Sequence, residues 1–362
     1  MKKVLFIDRD GTIISEPLNE QVDSIEEMRF LPGVITALSR IVTETDYDLV
    51  MVTNQDGLGT PEFPEESFWP PHNRMLQILE GEGIRFAGIF IDRTFSHENA
   101  PTRKPGTAML AKYLAQGVDL PSSFVIGDRE TDLQLARNLG CRAIYISPQS
   151  HPDAFFNTTD WHEISNFLIS MPRRSAINRI TRETSVSVGL NIDGSGKYDI
   201  STGIGFFDHM LEQLARHSSM DLTIKAKGDL EVDRHHSIED VAIALGEAIS
   251  VALGSKKGIE RYGFLLPMDD SLAQVAIDFS GRPWLTWSVC FSAAKVGDIP
   301  AEMFRHFFKS LSDSAKCNIN ISAKGEDDHH MIEAIFKAFA RAMRSAVTKT
   351  GGFGLPSTKG IL

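Results

Sequence analysis

The sequence predicts two domains, an α/β domain on a parallel sheet followed by an α+β domain made of two similar halves. Three observations carry this. Short apolar runs alternate with amphipathic stretches through the first half of the chain. That alternation stops where Met171-Pro172-Arg173-Arg174 follows the last helix-like stretch. Beyond it, one pattern of helix, strand and histidine-led helix occurs twice.

The strand candidates of the first domain are residues 3–7, 48–53, 87–91, 123–127 and 142–146. Amphipathic stretches at 33–42, 65–81, 106–115 and 131–139 lie between them. Strand, helix, strand in sequence argues a parallel sheet with helices on both faces, and ligands at the carboxyl ends of its strands. The expected boundaries are 1–166 for the first domain, 167–176 for the connection and 177–362 for the second. In the second domain, Phe206-Phe207-Asp208-His209-Met210 leads through a strand to His235-His236-Ser237-Ile238-Glu239. Phe304-Arg305-His306-Phe307-Phe308 leads in the same way to His329-His330-Met331-Ile332-Glu333. Two long copies suggest duplication of one α+β half, not a solenoid.

Composition narrows the function classes. Of 362 residues, 42% are hydrophobic and 23% charged, as in a globular enzyme. A net charge of -11 argues against a broad nucleic-acid surface. No apolar run approaches the ~20 residues that span a bilayer, and the N-terminus lacks the apolar core of a signal peptide. Cys141, Cys290 and Cys317 have no close spacing, so no disulfide framework and a cytoplasmic location are expected.

The first chemical centre follows the first strand. Ile7-Asp8-Arg9-Asp10-Gly11-Thr12 puts two carboxylates at a strand end. One can attack phosphorus while the other handles the leaving-group proton. Two close anions need a divalent cation, and oxygen ligands with phosphate chemistry point to Mg²⁺. Alone, Asp-x-Asp reads better as a polar turn. Three further segments reverse that: Thr53-Asn54 at a strand end, Arg103-Lys104-Pro105 ahead of a helix, and Gly127-Asp128-Arg129-Glu130-Thr131-Asp132 after another strand. In order and context these resemble the four motifs of the haloacid dehalogenase superfamily of phosphatases. The resemblance implies a Rossmann-like sheet without a large cap domain, with Asp8 as nucleophile and Asp10 as general acid and base. It also implies Thr53, Asn54 and Lys104 as phosphate binders, and Asp128 as Mg²⁺ ligand with Asp8 and the Asp10 backbone carbonyl. Asp132 reads equally as a supporting group or as a first-turn helix acid.

Thr53-Asn54-Gln55-Asp56-Gly57-Leu58-Gly59, with Phe63-Pro64 and Pro71-His72, is similar to the histidinol-phosphatase branch. Members of that branch commonly carry three cysteines and a histidine that bind zinc just before the Arg-Lys-Pro segment. Here residues 92–102 contain no cysteine, and of the usual ligands only His97. No structural zinc is expected, other contacts must shape this loop, and His97 reads as a surface residue.

The second centre is histidine-rich. His235 and Glu239 are four residues apart and His236 and Glu239 three, so both spacings share a helix face. His329, His330 and Glu333 repeat the pattern, and His209 and His306 precede the two copies. A lone histidine is more often a packing group; matched sets read as ligands for Mn²⁺, Zn²⁺ or Fe²⁺. Adjacent helical histidines diverge by ~100°, so they suit different ions and sites shared between chains.

These residues, with Arg179-Ile180-Thr181-Arg182-Glu183-Thr184 and the tail Pro356-Ser357-Thr358-Lys359-Gly360, resemble imidazoleglycerol-phosphate dehydratase. The whole chain resembles the bifunctional enzymes of histidine biosynthesis that join the two activities. The resemblance implies two Mn²⁺ per site, a 24-subunit homo-oligomer and imidazole phosphates as substrates. It assigns His209, His235, His236, Glu239, His306, His329, His330 and Glu333 to metal. It implies proton shuttling by Glu333 and Glu183, and phosphate binding by Arg261, Arg282, Ser357 and Lys359. The reaction needs the metal because the proton to be lost has no neighbouring carbonyl, and stabilising negative charge on the azole lets it expel the adjacent hydroxyl. His217, opposite Ser314 in the other copy, reads equally as structural. The glycine-rich segment 351–354 is expected to order on phosphate or against a neighbouring subunit. Two alternatives stay open: the same dehydratase joined to a phosphatase of other phosphomonoesters, and a non-catalytic metal-binding assembly protein.

Overall fold

The computed structural model describes residues 2–115, 117–228, 230, 233–350 and 355–357. The chain divides into two compact units, Met1–Met171 and Pro172–Leu362. Among the described residues no helix is long and apolar enough to cross a membrane.

Unit 1 is built on six parallel strands: β1 (Lys3–Ile7), β2 (Tyr47–Asn54), β3 (Phe86–Asp92), β4 (Phe124–Gly127), β5 (Arg142–Tyr145) and β6 (Phe156–Asn157). They lie in the order β3-β2-β1-β4-β5-β6. Helices α1 (Val34–Glu44), α2 (Glu65–Gly81), α3 (Ala111–Leu114), α4 (Glu130–Leu139) and α5 (Trp161–Ile169) connect or follow them. The run Val4–Ile7 is wholly buried because both faces of the strand are covered. Side chains alternate across a strand. Leu5 and Ile7 therefore pack with Val34, Leu38 and Ile41 of α1 and Trp161 and Ile164 of α5. Val4 and Phe6 pack with Leu133, Ala136 and Leu139 of α4. On α2, Phe68, His72, Met75 and Leu79 recur at helical spacing and are buried.

The winding reverses at β1: β2 and β3 lie to one side, β4 to β6 to the other. A crevice at the carboxyl ends of β1 and β4 follows from that reversal. Trp161 is buried and donates its indole N–H to the Thr12 carbonyl at 2.9 Å, tying α5 to the loop after β1. One expectation fails. The stretch 106–115 is not one helix; it breaks into a 3-10 turn at Ala108–Leu110 and the single turn α3. Within those two turns only Leu110 is fully buried, and so short a segment is not held helical by propensity alone.

Unit 2 contains two four-stranded sheets of the same design. The first comprises β7 (Arg174–Ile180), β8 (Thr184–Asn191), β9 (Tyr198–Ser201) and β10 (Asp221–Gly228) in the order β7-β8-β10-β9. The second comprises β11 (Tyr262–Met268), β12 (Ser271–Asp278), β13 (Trp284–Ser288) and β16 (Asn318–Lys324) in the order β11-β12-β16-β13. In each, two antiparallel pairings are followed by one parallel pairing. The halves differ by a small ribbon, β14 (Lys295–Val296) with β15 (Ile299–Pro300). Helices α6 (Gly205–Ser218) and α7 (His235–Leu253) belong to the first half, α8 (Glu302–Ala315) and α9 (Asp328–Val347) to the second.

The halves are locked crosswise: α7 packs on α8 and α6 on α9. Gly246 allows the first contact, since a Cβ there would meet the Ser314 Cβ at 2.6 Å and the Leu311 carbonyl oxygen at 2.8 Å. One apolar core runs through both halves and includes Leu245, Ile249, Phe307, Leu311, Ile335 and Phe339. The connection expected at 167–176 contains the end of α5 and the start of β7, so irregular chain covers only 170–173.

Candidate active sites

In unit 1 the site forms where β1, β2 and β4 end. Asp8 directly follows β1, and its backbone N–H donates to the Ile126 carbonyl of β4 at 2.9 Å. Gly11 has φ +67°, and a Cβ there would lie 2.1 Å from the Asp128 carboxylate, so only glycine lets the two loops approach. Lys104 is buried, and its Nζ lies 2.8 Å from both Asp8 Oδ1 and Asp132 Oδ1. Asn54 fixes the lysine's backbone from both sides, accepting from its N–H at 3.0 Å and donating to its carbonyl at 3.2 Å. Asp132 does two jobs: one oxygen meets Lys104, and the other accepts from the Arg129 backbone N–H at the start of α4. Thr53 is buried beside them, and with Asp8, Asp10, Asn54 and Lys104 it lines one cleft.

The charges do not balance among protein groups. Asp8, Asp128 and Asp132 can offer ligand atoms within 4.8 Å of one another, the sole such group of three among the described residues. Lys104 meets two of these three carboxylates, and the Arg129 guanidinium, itself paired with Glu16, acts on the third, Asp128. Burial pushes Asp8 up to about 7; Lys104 opposes this, while Asp132 and Asp10 add to it. Burial, then Asp132 and Glu16, push Asp128 up to about 6. For Lys104 burial works downward, but Asp132 and Asp8 outweigh it and hold the ammonium above its ordinary value. An excess of buried carboxylate oxygen is the donor set of a hard divalent cation, so the residues fit one.

Asp10 faces a different set. The Arg9 guanidinium approaches it with Nε 2.9 Å from Oδ1, and Gln55 donates to Oδ2 at 2.6 Å. Gln55 also donates to the Thr53 hydroxyl at 2.8 Å. Sequence reasoning gave no role to Arg9 or Gln55, although an arginine between two carboxylates was a signal. The cysteine-free loop is held by protein contacts. Asp92 accepts from the Thr94 backbone at 3.0 Å, and Arg103 donates to the Thr94 carbonyl at 2.7 Å and to Asp56 at 3.1 Å. His97 stacks on Phe95 and is exposed.

In unit 2 the histidines of both repeats stand in the first two turns of their helices, while His217 lies in the last turn of α6. Asp327 caps α9 by accepting from the backbone N–H groups of His329 and His330 at 2.6 and 3.2 Å. His235 and Glu239 approach to 3.3 Å, and His329 and Glu333 to 3.7 Å, one turn apart as their spacing predicts. The rings of His235 and His306 lie 4.9 Å apart, bringing the two repeats together. His236 meets Glu183 at 3.2 Å, and Glu333 also meets Lys337 at 2.9 Å. His330 Nδ1 pairs with Asp270 at 2.6 Å, a partner that no repeat or spacing had marked. His209 and His217 flank Gln213, at 3.4 and 3.0 Å. Among the described residues these histidines thus meet carboxylates in pairs, and no three of these groups offer ligand atoms within 4.8 Å of one another.

The expected phosphate groups are only partly gathered. Arg261 pairs with Asp278 and donates to the Pro356 carbonyl at 2.8 Å, next to Ser357. The Arg282 side chain is exposed. Lys359 and the segment 351–354 lie outside the described residues.

Comparison with known proteins matches a family to part of each unit. A family model for imidazoleglycerol-phosphate dehydratase matches residues 202–343, and a HAD-hydrolase-like model matches residues 101–154. The histidine biosynthesis bifunctional protein HisB of Bacteroides fragilis is 57% identical over 374 residues, covering 100% of both chains. The protein of that name from Spirosoma linguale is 53% identical over 382 residues, again covering 100% of both. Among solved structures, imidazoleglycerol-phosphate dehydratase from Staphylococcus aureus is 37% identical with a TM-score of 0.45, covering 49% of this chain and 99% of that one. D,D-heptose 1,7-bisphosphate phosphatase from B. bronchiseptica, complexed with magnesium and phosphate, is 25% identical with a TM-score of 0.42, covering 46% and 98%. With 57% and 53% identity sustained from end to end, and with both family models matched, the chain belongs to the bifunctional HisB family of histidine biosynthesis, which carries a phosphatase and an imidazoleglycerol-phosphate dehydratase on one polypeptide.

Proposed function

We propose that residues 1–166 hydrolyse histidinol phosphate through an aspartyl phosphate on Asp8, and that residues 177–362 dehydrate imidazoleglycerol phosphate to imidazoleacetol phosphate. The observation that carries the first assignment is the buried meeting of Asp8, Lys104 and Asp132 at the ends of β1 and β4. Asp8 attacks phosphorus and Lys104 balances charge on the incoming phosphate. Thr53 and Asn54 receive its oxygens, while Asp10 gives its proton to the leaving oxygen and later takes one from water. Mg²⁺, held by Asp8, Asp128 and the Asp10 carbonyl with Asp132 beside them, would supply neutralisation of charge on phosphate and carboxylates.

In the dehydratase, His209, His235, His236, Glu239, His306, His329, His330 and Glu333 are the ligands of two Mn²⁺, which would supply stabilisation of negative charge on the substrate's azole ring. Glu333 and Glu183 exchange protons with the substrate, and Arg261, Arg282, Ser357 and Lys359 hold its phosphate. The partial donor sets within one chain support sites completed by neighbouring subunits, in a homo-oligomer of 24. The partners are small imidazole phosphates, not nucleic acid or membrane, and the enzyme works in the cytoplasm.

A second phosphatase reading, hydrolysis of other phosphomonoesters, is favoured by one observation: the loop 92–102 is shaped by Arg103 and Asp92 and has no cysteine. The test is a two-substrate assay of the intact chain with metal analysis. We expect histidinol phosphate to exceed a panel of sugar phosphates in kcat/KM, and Mn²⁺-loaded protein to form imidazoleacetol phosphate. A sugar phosphate turned over better would replace the first assignment. Mn²⁺-loaded protein unable to dehydrate would leave unit 2 a metal-binding assembly module.

A further inference from the structure

Asp10 is clamped on both oxygens. Arg9 is 1% exposed, and its Nε and Nη2 both lie 2.9 Å from Asp10 Oδ1. Its guanidinium lies over the Phe68 ring, 4.6 Å from the centroid, while Nη1 has no hydrogen-bond partner. Gln55 is 3% exposed and uses both amide hydrogens, one on Asp10 Oδ2 and one on the Thr53 hydroxyl; its carbonyl oxygen accepts from Arg9 at 3.4 Å. These partners fix the amide's orientation. A buried cation with one donor left idle is a costly way to fill a core. Phe68 and an apolar residue at position 55 would fill it more cheaply, so the arrangement points to what the carboxyl must do.

We propose that Arg9 and Gln55 are positioning residues of the phosphatase reaction, which hold the plane of the Asp10 carboxyl so that its proton reaches the leaving oxygen. This rests on the reading of Asp10 as general acid. In the step concerned, an Asp8 carboxylate oxygen bonds to phosphorus and the bond from phosphorus to the leaving oxygen breaks. The carboxyl proton of Asp10 moves to that oxygen, leaving Asp10 as the carboxylate partner of Arg9. In the second half, Asp10 takes a proton from the attacking water as the Asp8–phosphorus link breaks. A carboxyl free to rotate would hold its proton off line for part of the time, and a positioned acid contributes about 10²–10⁴-fold.

The test uses leaving groups, since an alkoxide needs that proton and a dinitrophenolate does not. The intact, Mg²⁺-loaded chain and its Gln55→Met, Arg9→Lys and Asp10→Asn variants are assayed for kcat/KM, which covers steps through phosphoenzyme formation. The substrates are histidinol phosphate and 2,4-dinitrophenyl phosphate. We expect the alkyl-to-aryl ratio to fall at least about tenfold in Gln55→Met and Arg9→Lys, and further in Asp10→Asn. An unchanged ratio in Gln55→Met, or loss of both substrates together, overturns the positioning role while Asp10→Asn still shows the selective loss. An unchanged ratio in Asp10→Asn overturns the general-acid reading itself. Arg9→Lys alone losing both substrates signals failed folding of that variant, and Gln55→Met then decides.

Discussion

In unit 1, chemical side chains from three strand ends meet inside one chain, with Lys104 at 2.8 Å from two carboxylates. In unit 2 the histidines meet carboxylates one at a time, His235 with Glu239 and His329 with Glu333 on their own helices, His236 with Glu183 and His330 with Asp270 across the fold. The difference follows from architecture. A parallel sheet aims the carboxyl ends of its strands into one crevice, so distant segments converge and are buried there. A duplicated half brings its histidine helix to the surface twice, where rings such as His236 and His329 are about half exposed. The first arrangement is self-contained. The second is, in the function proposed above, completed by a neighbouring copy.

The largest effects should come from breaking one site at a time. Asp8→Asn removes the attacking oxygen and should lower phosphatase kcat/KM by more than about 10³-fold, with dehydratase turnover unchanged. His329→Ala should do the reverse and lower Mn²⁺ content. Parallel loss of both activities in either variant would mean that the two units do not act independently.

Metal exchange sharpens the contrast between self-contained and shared sites. After chelation, Mg²⁺ should restore phosphatase activity per chain equally at high and low protein concentration. Mn²⁺ should restore dehydratase activity fully only where the chains assemble, with at least about a tenfold deficit in dilute protein. The check is activity per chain across a dilution series, read beside light scattering. The same concentration dependence for both activities would remove the distinction.

The sequence made most of the frame legible because apolar runs and helical spacing are local properties. β1 was read at its full bounds, and the twofold design of unit 2 was visible in its histidine spacing. The stretch 106–115 was misread because its apolar residues are too few to show whether tertiary contacts would hold a helix. Asp8, Lys104 and Asp128 stood out as motif residues, and the strand-end context of Asp8 and Asp128 implied that those two lie close together. Gln55 and Asp270 did not stand out, since each acts on a residue whose position only the folded chain reveals, Gln55 on Asp10 and Asp270 on His330, while the signal in Arg9 lay in its place between two carboxylates. Asp132 was ambiguous in sequence for a physical reason, as its two oxygens serve the helix start and the site at once.

A smaller effect tests the buried side of the comparison through His72. It is 2% exposed, its Nδ1 has no hydrogen-bond partner, and it stacks on Phe68 with centroids 5.0 Å apart. Burial, and then the Arg9 cation, push its pKa down to about 4, with Asp10 opposing. Below pH ~6.5 the unfolded chain takes up a proton on this ring that the folded chain refuses until about pH 4. The unfolded state therefore binds more protons across that window. The stability His72 contributes is intact above pH ~6.5 and is lost progressively as pH falls toward 4, by up to about 3 kcal/mol. Hydrogen exchange in β1, corrected for intrinsic rates, reads this in unit 1 directly. A His72→Phe variant keeps a ring against Phe68 and cannot take the proton, so its protection should fall less steeply between pH 6.5 and 4.5 than that of the parent chain. Parallel curves for the two proteins would show that the His72 ring is not held neutral by its burial.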